Sequence, residues 1–255
     1  MTLLACRGLT VEIAGRRVCE ALDLQLDAGQ CWGMLGCNGA GKTTLLHTLA
    51  GLRAAQDGEI LLADRPLTAW PDRERARHLG LLLQDNREVF PGTVLETVLI
   101  GRHPHLQRWE WEGEADLAKA RSALAAVDLA GFEARDVATL SGGEYQRLQI
   151  ATLLAQAPRV MLLDEPVNHL DLKHQAAILT RLTDMARQTG HALLMVLHDV
   201  NLAARYCDHL LLIYGNGETR QGGRDAVLDK PALERLYGCA LREIRDGTQR
   251  WFMAD

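Results

Sequence analysis

The chain has 255 residues, of which 47% are hydrophobic and 24% are charged, a composition typical of a globular protein with a substantial buried core. This composition excludes collagen, coiled coils and disordered chains. With 28 Lys and Arg residues against 33 Asp and Glu residues, the net charge is -5, so nucleic acid is not predicted as a partner.

Membrane spans and covalent cross-links are not expected. No apolar run approaches the roughly 20 residues that a membrane-spanning helix needs, and the most apolar runs, 192–197 and 210–214, have the length of strands. The first residues, MTLLACRGLTVE, lack the basic and long apolar regions of a secretory signal, which favours a cytosolic protein. The six cysteines are scattered without a CxxC pair, which favours reduced, mostly buried thiols over a zinc site or a disulfide framework.

Strand-like and helix-like patterns alternate along the chain. Residues 1–30 alternate polar and apolar side chains around Ala14-Gly15 and Ala28-Gly29, which predicts an antiparallel ribbon beside the main sheet. Continuous apolar runs, typical of parallel strands buried on both faces, lie at 31–35, 79–83, 160–163 and 193–197. Helices are predicted at 42–50, 115–126, 144–156, 173–187 and 200–206. This alternation predicts an α/β fold.

The remaining segments define the expected organisation of the domain. Residues 92–157 contain almost no strand pattern, which predicts an inserted helical subdomain. In the tail, a helix is predicted at 231–237 and a hairpin of 241–244 with 250–253 across Asp246-Gly247. We therefore expect one domain over 1–255, with a core of 1–91 and 158–224, a helical subdomain of 92–157, and a C-terminal helix and hairpin in 225–255.

A glycine or a polar residue follows each predicted parallel strand. These residues are Gly36, Gln84, the pair Asp164-Glu165, and His198. The carboxyl ends of parallel strands lie at one edge of a sheet, where ligands bind. We therefore expect these residues to converge on one site.

The first strand is followed by a phosphate-loop motif. Gly36-Cys37-Asn38-Gly39-Ala40-Gly41-Lys42-Thr43-Thr44 fits GxxxxGK[ST] between a strand and a helix. The glycines let backbone N–H groups surround an anion at a helix N-terminus. Lys42 is expected to reach the β- and γ-phosphates of ATP, and the Thr43 hydroxyl to bind Mg²⁺. The motif predicts a P-loop NTPase with a mostly parallel core sheet, an N-terminal antiparallel β-subdomain and an inserted helical subdomain. The alternative is a glycine turn with a solvated lysine.

A phosphate loop implies catalytic roles for the other residues at the strand ends. Asp164 is expected to hold Mg²⁺ directly or through water, and Glu165 to orient and polarise the water that attacks the γ-phosphate. Gln84 is expected to link the metal or that water to the helical subdomain. His198 is expected to hydrogen-bond the γ-phosphate. Without the phosphate loop, Asp164 and Glu165 would be interpreted as a solvated turn before Pro166. Gln84 and His198 would be interpreted as ordinary polar residues at strand ends.

A second candidate anion site opens the helix predicted at 144–156. Ser141 and Glu144 fit a capping box, which would explain them as helix-start residues alone. Gly142 and Gly143 make the first helical turn less stable than alanines would. Glycines at these positions are explained if another backbone or a ligand approaches closely. We therefore predict that Ser141, Gly142, Gly143 and Glu144 bind phosphate at this helix end.

In their order along the chain, these motifs resemble those of the ATP-binding subunits of ATP-binding cassette (ABC) transporters. The resemblance covers essentially the whole chain. It identifies 36–44 as the Walker A loop, Gln84 as the Q-loop, 140–144 as the signature, 160–165 as the Walker B strand, 168–171 (Asn-His-Leu-Asp) as the D-loop and His198 as the switch histidine. It implies a Mg²⁺-dependent ATPase that forms a head-to-tail dimer, with ATP between the Walker A loop of one subunit and the signature helix of the other. Asp171 of the D-loop is then expected to take part in nucleotide binding.

The resemblance also suggests a branch of the family. Segment 89–105, VFPGTVLETVLIGRHPH, contains a Gly-Arg-x-Pro-His stretch like that of importers of iron-siderophore, haem and cobalamin. This implies separate transmembrane permease subunits, touched by the helical subdomain and the segment after Gln84, and an indirect periplasmic or extracellular substrate-binding protein. It also implies a peripheral location at the cytoplasmic face of the cell (inner) membrane. His103 and His105 lack the other ligands of a closed metal site, so none is predicted there.

The chain departs from the family pattern at three places. Ile13 stands where family members commonly place an aromatic residue against adenine, so nucleotide affinity or base selectivity is expected to be looser. Glu144 replaces a glutamine found in many relatives, and the D-loop reads Asn-His-Leu-Asp. Neither of these two changes removes a group needed for hydrolysis.

Two other functions fit parts of the pattern. A soluble ABC-type ATPase in cytosolic assembly, such as iron-sulfur scaffolding, would carry the same motifs but have only soluble partners. A nucleoside kinase with the same phosphate loop would give residues 141–144 no role in activity. The transported cargo is selected by the binding protein and the permease, so this sequence does not name it.

Overall fold

A computed structural model describes residues 1–84, 91–247 and 249–255. In chain order the strands are β1 (Thr2–Ile13), β2 (Arg16–Asp27), β3 (Cys31–Gly36), β4 (Asp57–Leu62), β5 (Arg65–Pro66), β6 (Leu79–Leu82), β7 (Val160–Asp164), β8 (Ala192–Val196), β9 (His209–Ile213), β10 (Thr219–Gly223), β11 (Leu241–Asp246) and β12 (Gln249–Ala254). The helices are α1 (Lys42–Leu49), α2 (Asp72–His78), α3 (Val94–Ile100), α4 (Glu114–Ala126), α5 (Gly142–Gln156), α6 (Leu172–Thr189), α7 (Val200–Tyr206), α8 (Arg224–Val227) and α9 (Lys230–Tyr237). Residues 89 and 90 of the importer-like segment, and those directly after Gln84, lie outside the described residues.

The N-terminal ribbon forms as predicted but belongs to a sheet of its own. β1 and β2 pair antiparallel across Ala14-Gly15, where both residues take a positive φ, 49° and 75°. Such a two-residue turn matches the twist of a hairpin. β4 pairs with β1, and β5 with β4, giving the order β2-β1-β4-β5. The ribbon is therefore half of a four-stranded sheet rather than an addition to the main one.

The main sheet has the order β10-β9-β3-β8-β7-β6, and all pairs are parallel except that of β10 with β9. The four predicted parallel strands are confirmed, and the apolar run at 210–214 supplies most of β9. Successive residues of one strand pack against opposite cores. In β7, Val160 and Leu162 join the core below the antiparallel sheet, whereas Met161 and Leu163 join the core shared with the larger helices. Burial on both faces explains the continuous apolar runs.

Residues 92–157, all of which the structure describes, form α3, α4, α5 and short turns, with one isolated bridge between Thr93 and Asp136 and no strand of either sheet. α3 and α4 both pack against α5. A Cβ on Gly101, at the end of α3, would lie 2.2 Å from the Thr152 carbonyl of α5, so only glycine permits this approach. The division into subdomains at residues 91, 157 and 224 stays a prediction.

The C-terminal segment has the predicted helix and hairpin. α9 precedes β11 and β12, which pair antiparallel. Thr248, next to the predicted Asp246-Gly247 turn, lies outside the described residues. The hairpin is tied to α7 because Asn201 exchanges two hydrogen bonds with the Phe252 backbone, at 2.8 and 3.1 Å.

The six cysteines are free thiols. Four of them, Cys6, Cys19, Cys31 and Cys207, are buried, whereas Cys37 and Cys239 are exposed.

Within the ranges described, no helix has both the length and the apolar character that crossing a bilayer requires.

Candidate active site

The phosphate loop lies between β3 and α1, in the predicted context. Gly39 and Gly41 adopt positive φ values of 77° and 96°, which favour glycine. A Cβ on Gly41 would also lie 2.4 Å from a Val18 methyl group, and one on Gly36 would lie 2.7 Å from the Ile213 carbonyl. Backbone conformation and close packing therefore require these three glycines.

Lys42 is held inside the loop. Its side chain is buried, and Nζ donates hydrogen bonds to the carbonyl oxygens of Gly36 (2.8 Å) and Cys37 (3.0 Å). Burial lowers the pKa of Lys42, while the charges of Glu165 and Asp164 act in the opposite direction. The ammonium group thus has neutral carbonyl partners that it can exchange for phosphate oxygens.

A cleft of about 450 Å³ opens over this loop. It is lined by Ile13, Asn38, Gly39, Gly41, Lys42, Thr43, Thr44, Gln84, Glu165 and His198. The structure therefore brings the residues at the ends of β6, β7 and β8 together with the phosphate loop. A larger groove of about 880 Å³ between α4, α5 and α6 is lined by alanines and by polar side chains such as Lys119, Arg181 and Asp184. Its lining includes neither the phosphate loop nor the residues at the ends of β6, β7 and β8, so the smaller cleft is the better candidate site.

Asp164 lies beneath the cleft, and its carboxylate is suited to binding a cation. It is completely buried, and neither carboxylate oxygen accepts a hydrogen bond. Burial raises the pKa of Asp164, while the nearby Thr43 hydroxyl, His47 and Lys42 act in the opposite direction. A buried carboxylate without a partner is costly, and Mg²⁺ commonly binds one or two carboxylates together with phosphate and water oxygens. The Asp164 carboxylate and the Thr43 hydroxyl therefore fit Mg²⁺.

Among the described residues, no group of three or more His, Cys, Asp or Glu side chains could hold a metal ion.

Glu165 is the point at which the strand ends meet. Its Oε2 accepts hydrogen bonds from Gln84 Nε2 (2.9 Å) and from Asn168 Nδ2, and its Oε1 contacts His198 Nε2. Glu165 is buried and has a φ of 51°, which is unfavourable for a residue with a side chain. The surrounding contacts therefore hold its carboxylate in one position at the edge of the cleft.

Asn168, a residue of the predicted D-loop, contacts this carboxylate, a role that was not predicted from the sequence. Asn168 reaches Glu165 because a tight turn follows β7, in which the Asn168 N–H donates to the Glu165 carbonyl at 3.2 Å. An asparagine three residues after the acid is the sequence signal that could have indicated this contact.

Not every residue of the loop motif lines the cleft. Gly36, Cys37 and Ala40 are absent from its lining. The Cys37 thiol instead donates to the Leu236 carbonyl in α9, at 2.8 Å. The loop therefore also contacts the C-terminal helix.

The predicted second anion site lies outside the cleft of this chain. Ser141 and Glu144 form the capping box: Glu144 N donates to Ser141 Oγ (3.3 Å), and Ser141 N donates to Glu144 Oε2 (2.7 Å). A Cβ on Gly143 would lie 3.1 Å from the His169 carbonyl, so a neighbouring backbone explains this glycine. A nucleotide-binding role for 141–144, Gly142 included, stays a prediction.

Asp171 is also outside the cleft. It is exposed at the start of α6 and accepts a hydrogen bond from the His174 N–H (2.9 Å), which makes it the N-cap of that helix. This structural role needs no nucleotide. A contribution of Asp171 to nucleotide binding stays a prediction.

The importer-like stretch at 101–105 is held by the surrounding helices. Arg102 is buried and donates to Asp116 Oδ1 (2.8 Å) and to the Ala155 carbonyl (2.7 Å). His105 Nε2 donates to the Gln156 carbonyl (2.8 Å), and burial lowers the pKa of His105. These bonds join the stretch to α4 and α5, so packing accounts for its residue types.

Comparison with known proteins agrees with this geometry. The family model described as ABC transporter matches residues 19–168. The hemin import ATP-binding protein HmuV of Myxococcus xanthus is 41% identical over 249 residues, covering 94% of this chain and 92% of that relative. The cobalamin import ATP-binding protein BtuD of Halobacterium salinarum is 39% identical over 230 residues, covering 90% of this chain and 57% of that relative.

Solved structures share the architecture. A metal-chelate type ABC transporter in an inward-facing conformation has a TM-score of 0.86 and 25% identity, covering 100% of this chain and 98% of that chain. The dimeric structure of a bacterial ABC transporter cassette has the same fold, with a TM-score of 0.77 and 24% identity, covering 87% of this chain and 99% of that one. The match of the family model over the phosphate loop, the signature and the Glu165 carboxylate shows that the chain belongs to the ABC transporter family, as an ATP-binding subunit.

Proposed function

We propose that the chain is a Mg²⁺-dependent ATPase that powers an ABC importer for a metal chelate or corrinoid, such as iron-siderophore, haem or cobalamin. The observation that carries the catalytic part is the convergence of Gln84, Asn168 and His198 on Glu165, above the phosphate loop. The names of the relatives, hemin import and cobalamin import proteins, support the cargo class.

Nucleotide binding begins at the phosphate loop. Its backbone N–H groups and the start of α1 receive the phosphates, and Lys42 exchanges the Gly36 and Cys37 carbonyls for phosphate oxygens. Thr43 and Asp164 would hold Mg²⁺, which when bound neutralises charge on the phosphate oxygens. The chain contributes position and electrostatics rather than covalent chemistry.

Glu165 and its partners prepare the attack on the γ-phosphate. A carboxylate at the edge of the cleft can accept a hydrogen bond from water and orient it in line with the leaving group. Gln84 and Asn168 restrain one carboxylate oxygen, and His198 restrains the other. His198 also lines the cleft, where its other contacts can include the γ-phosphate.

A second copy of the chain completes the site in this proposal. Residues 141–144 present a helix N-terminus that lies outside the cleft of their own chain. In a head-to-tail dimer, each copy would place this end and its D-loop residue Asp171 against the nucleotide of the other. ATP binding would close the dimer and hydrolysis would reopen it.

The motion would pass to permease subunits through the region from Gln84 to His105. Arg73 and Arg77 of α2 donate to the Pro104 carbonyl, at 3.2 and 2.6 Å, and His105 is bonded to the end of α5. Pro104 and His105 therefore connect α2 with the end of α5. The subunit would act at the cytoplasmic face of the cell membrane, and the substrate-binding protein would contact the permease rather than this chain.

The test is a Mg²⁺-dependent ATPase assay of the wild type and of Glu165→Gln. We expect Glu165→Gln to bind ATP without steady turnover, and a magnesium chelator to abolish wild-type turnover. Glu96→Gln is a matched control, because Glu96 is an exposed capping-box residue of α3 that does not line the cleft. Hydrolysis by Glu165→Gln at the parental rate would refute the role of Glu165.

The other functions considered from sequence are tested separately. Co-purification of a polytopic membrane protein supports the importer, whereas co-purification of soluble scaffold proteins alone supports cytosolic assembly. Loss of ATPase activity in Ser141→Arg excludes a nucleoside kinase, since a kinase has no use for the signature.

A further inference from the structure

Two parts of the fold border the cleft. The phosphate loop contributes Lys42 and Thr43, and the antiparallel sheet contributes Ile13, the lining residue supplied by β1. The base of a nucleotide whose phosphates occupy the loop can therefore extend toward the β1–β2 turn. Ile13 is 37% exposed and offers an aliphatic surface, which covers a base without π stacking.

The register of the hairpin places a second side chain beside Ile13. Ile13 pairs with Arg16 across Ala14-Gly15, and Glu12 pairs with Arg17. Directly opposed residues of antiparallel strands project from the same face, and the next pair projects from the other face. Arg16 therefore shares the face of Ile13, which borders the cleft.

The contacts of Arg17 agree with this assignment. Arg17 Nε donates to Glu12 Oε1 at 3.1 Å, and its guanidinium also contacts Glu20. Arg17 is thus engaged on the opposite face. The Arg16 side chain is exposed and, among the residues described, takes part in no hydrogen bond or ion pair, although the Arg16 backbone pairs with Ile13 in the hairpin.

A guanidinium group suits the face of a nucleobase. It is planar, carries a delocalised charge and stacks on aromatic rings, and arginine stacks on bases in the same way. A lysine ammonium group keeps the charge but has no plane to stack. The long arginine side chain can extend over a base that rests on Ile13.

We propose that Arg16 stacks on the purine base of the nucleotide and, together with Ile13, forms the base-binding subsite. This inference rests on the proposed ATPase function and deepens it by naming how the base is recognised. It assigns Arg16 a role in binding rather than in the chemical step.

The test compares Arg16→Ala, Arg16→Lys and the control Arg17→Ala, with Mg²⁺–ATP as substrate and inorganic tripolyphosphate as a base-free competitor. We expect the KM for ATP to rise about five- to tenfold in Arg16→Ala, the size of a stacking contact, with kcat within about twofold of wild type. Arg16→Lys should recover less than half of the loss. Arg17→Ala should keep the wild-type KM, and the inhibition constant of tripolyphosphate should be equal in all four proteins.

Several results would overturn the inference. An unchanged KM in Arg16→Ala would show that the side chain does not touch the nucleotide. A parallel loss of tripolyphosphate affinity would assign Arg16 to the phosphates, and full rescue by lysine would show that charge alone matters. Absence of ATP hydrolysis by the wild type would instead refute the proposed function, so the two failures are distinguishable.

Discussion

Replacing Asp164 by asparagine should make the free protein more stable and the enzyme inactive. Asp164 is completely buried at the end of β7, and both of its oxygens lack hydrogen-bond partners. An unpaired buried polar group costs about 1–3 kcal/mol, and a charged one costs more. Asp164→Asn keeps the size of the side chain and removes the charge, although the amide is still unpaired. We therefore expect a net gain of about 1–2 kcal/mol in the free energy of unfolding.

For a chain of this length, that gain corresponds to a rise in Tm of roughly 2–8 °C. The assay is thermal unfolding followed by circular dichroism, first without nucleotide and magnesium and then with Mg²⁺–ATP. Ligand binding stabilises a native state by mass action, so Mg²⁺–ATP should raise the Tm of the wild type and raise that of Asp164→Asn much less. Asp136→Asn is the control, because exposed Asp136 caps a 3₁₀ turn through the Ala138 N–H and asparagine caps equally well.

Two results would refute this reasoning. A lower Tm in Asp164→Asn without ligand would mean that the carboxylate already has a stabilising partner. An equal Tm shift with Mg²⁺–ATP in the variant and the wild type would mean that Asp164 does not hold the cation.

Further predictions follow from other contacts of the site and the fold. Lys42→Ala removes the ammonium group of the phosphate loop and should weaken ATP binding, measured by calorimetry, at least about tenfold. Glu165→Gln should lower turnover about 100- to 10,000-fold in a coupled assay while ATP still binds. Ser141→Arg should abolish ATPase activity without preventing ATP binding to the single chain. Gly101→Ala, whose Cβ would lie 2.2 Å from the Thr152 carbonyl, should lower the free energy of unfolding by about 1–3 kcal/mol in urea.

Each of these expectations has a contrary outcome. Unchanged ATP affinity in Lys42→Ala would place the phosphates elsewhere, and parental turnover in Ser141→Arg would exclude the signature from the site. An unchanged urea midpoint in Gly101→Ala would show that α3 can move away from α5 at little cost.

The fold was predictable where burial leaves a simple pattern. β7 and β8 are buried at every residue, so each appears in the sequence as an unbroken apolar run. α2 could not be predicted from the sequence because none of its residues is buried. A helix without an apolar face shows no hydrophobic periodicity. β4 was missed because only Leu61 and Leu62 at its end are buried. It becomes a strand by pairing with β1, which local sequence does not reveal.

The site was predictable to the extent that strand ends share an edge of the sheet. Gln84, Glu165 and His198 lie far apart in sequence and meet because β6, β7 and β8 are neighbours in the order of the sheet. Asn168 could not be assigned in this way because it reaches Glu165 through a turn rather than from a strand end. Asp171 lies outside the cleft, and its predicted role in nucleotide binding would require a second chain.

The most direct test of the account is the sedimentation-equilibrium mass of Glu165→Gln with and without Mg²⁺–ATP, compared with that of the Glu165→Gln, Ser141→Arg double variant. A head-to-tail dimer closed by nucleotide predicts twice the mass of one chain for Glu165→Gln with Mg²⁺–ATP. It predicts the mass of a single chain without nucleotide and for the double variant. A single-chain mass for Glu165→Gln saturated with Mg²⁺–ATP, or a dimer that forms equally well with arginine at position 141, would contradict the account.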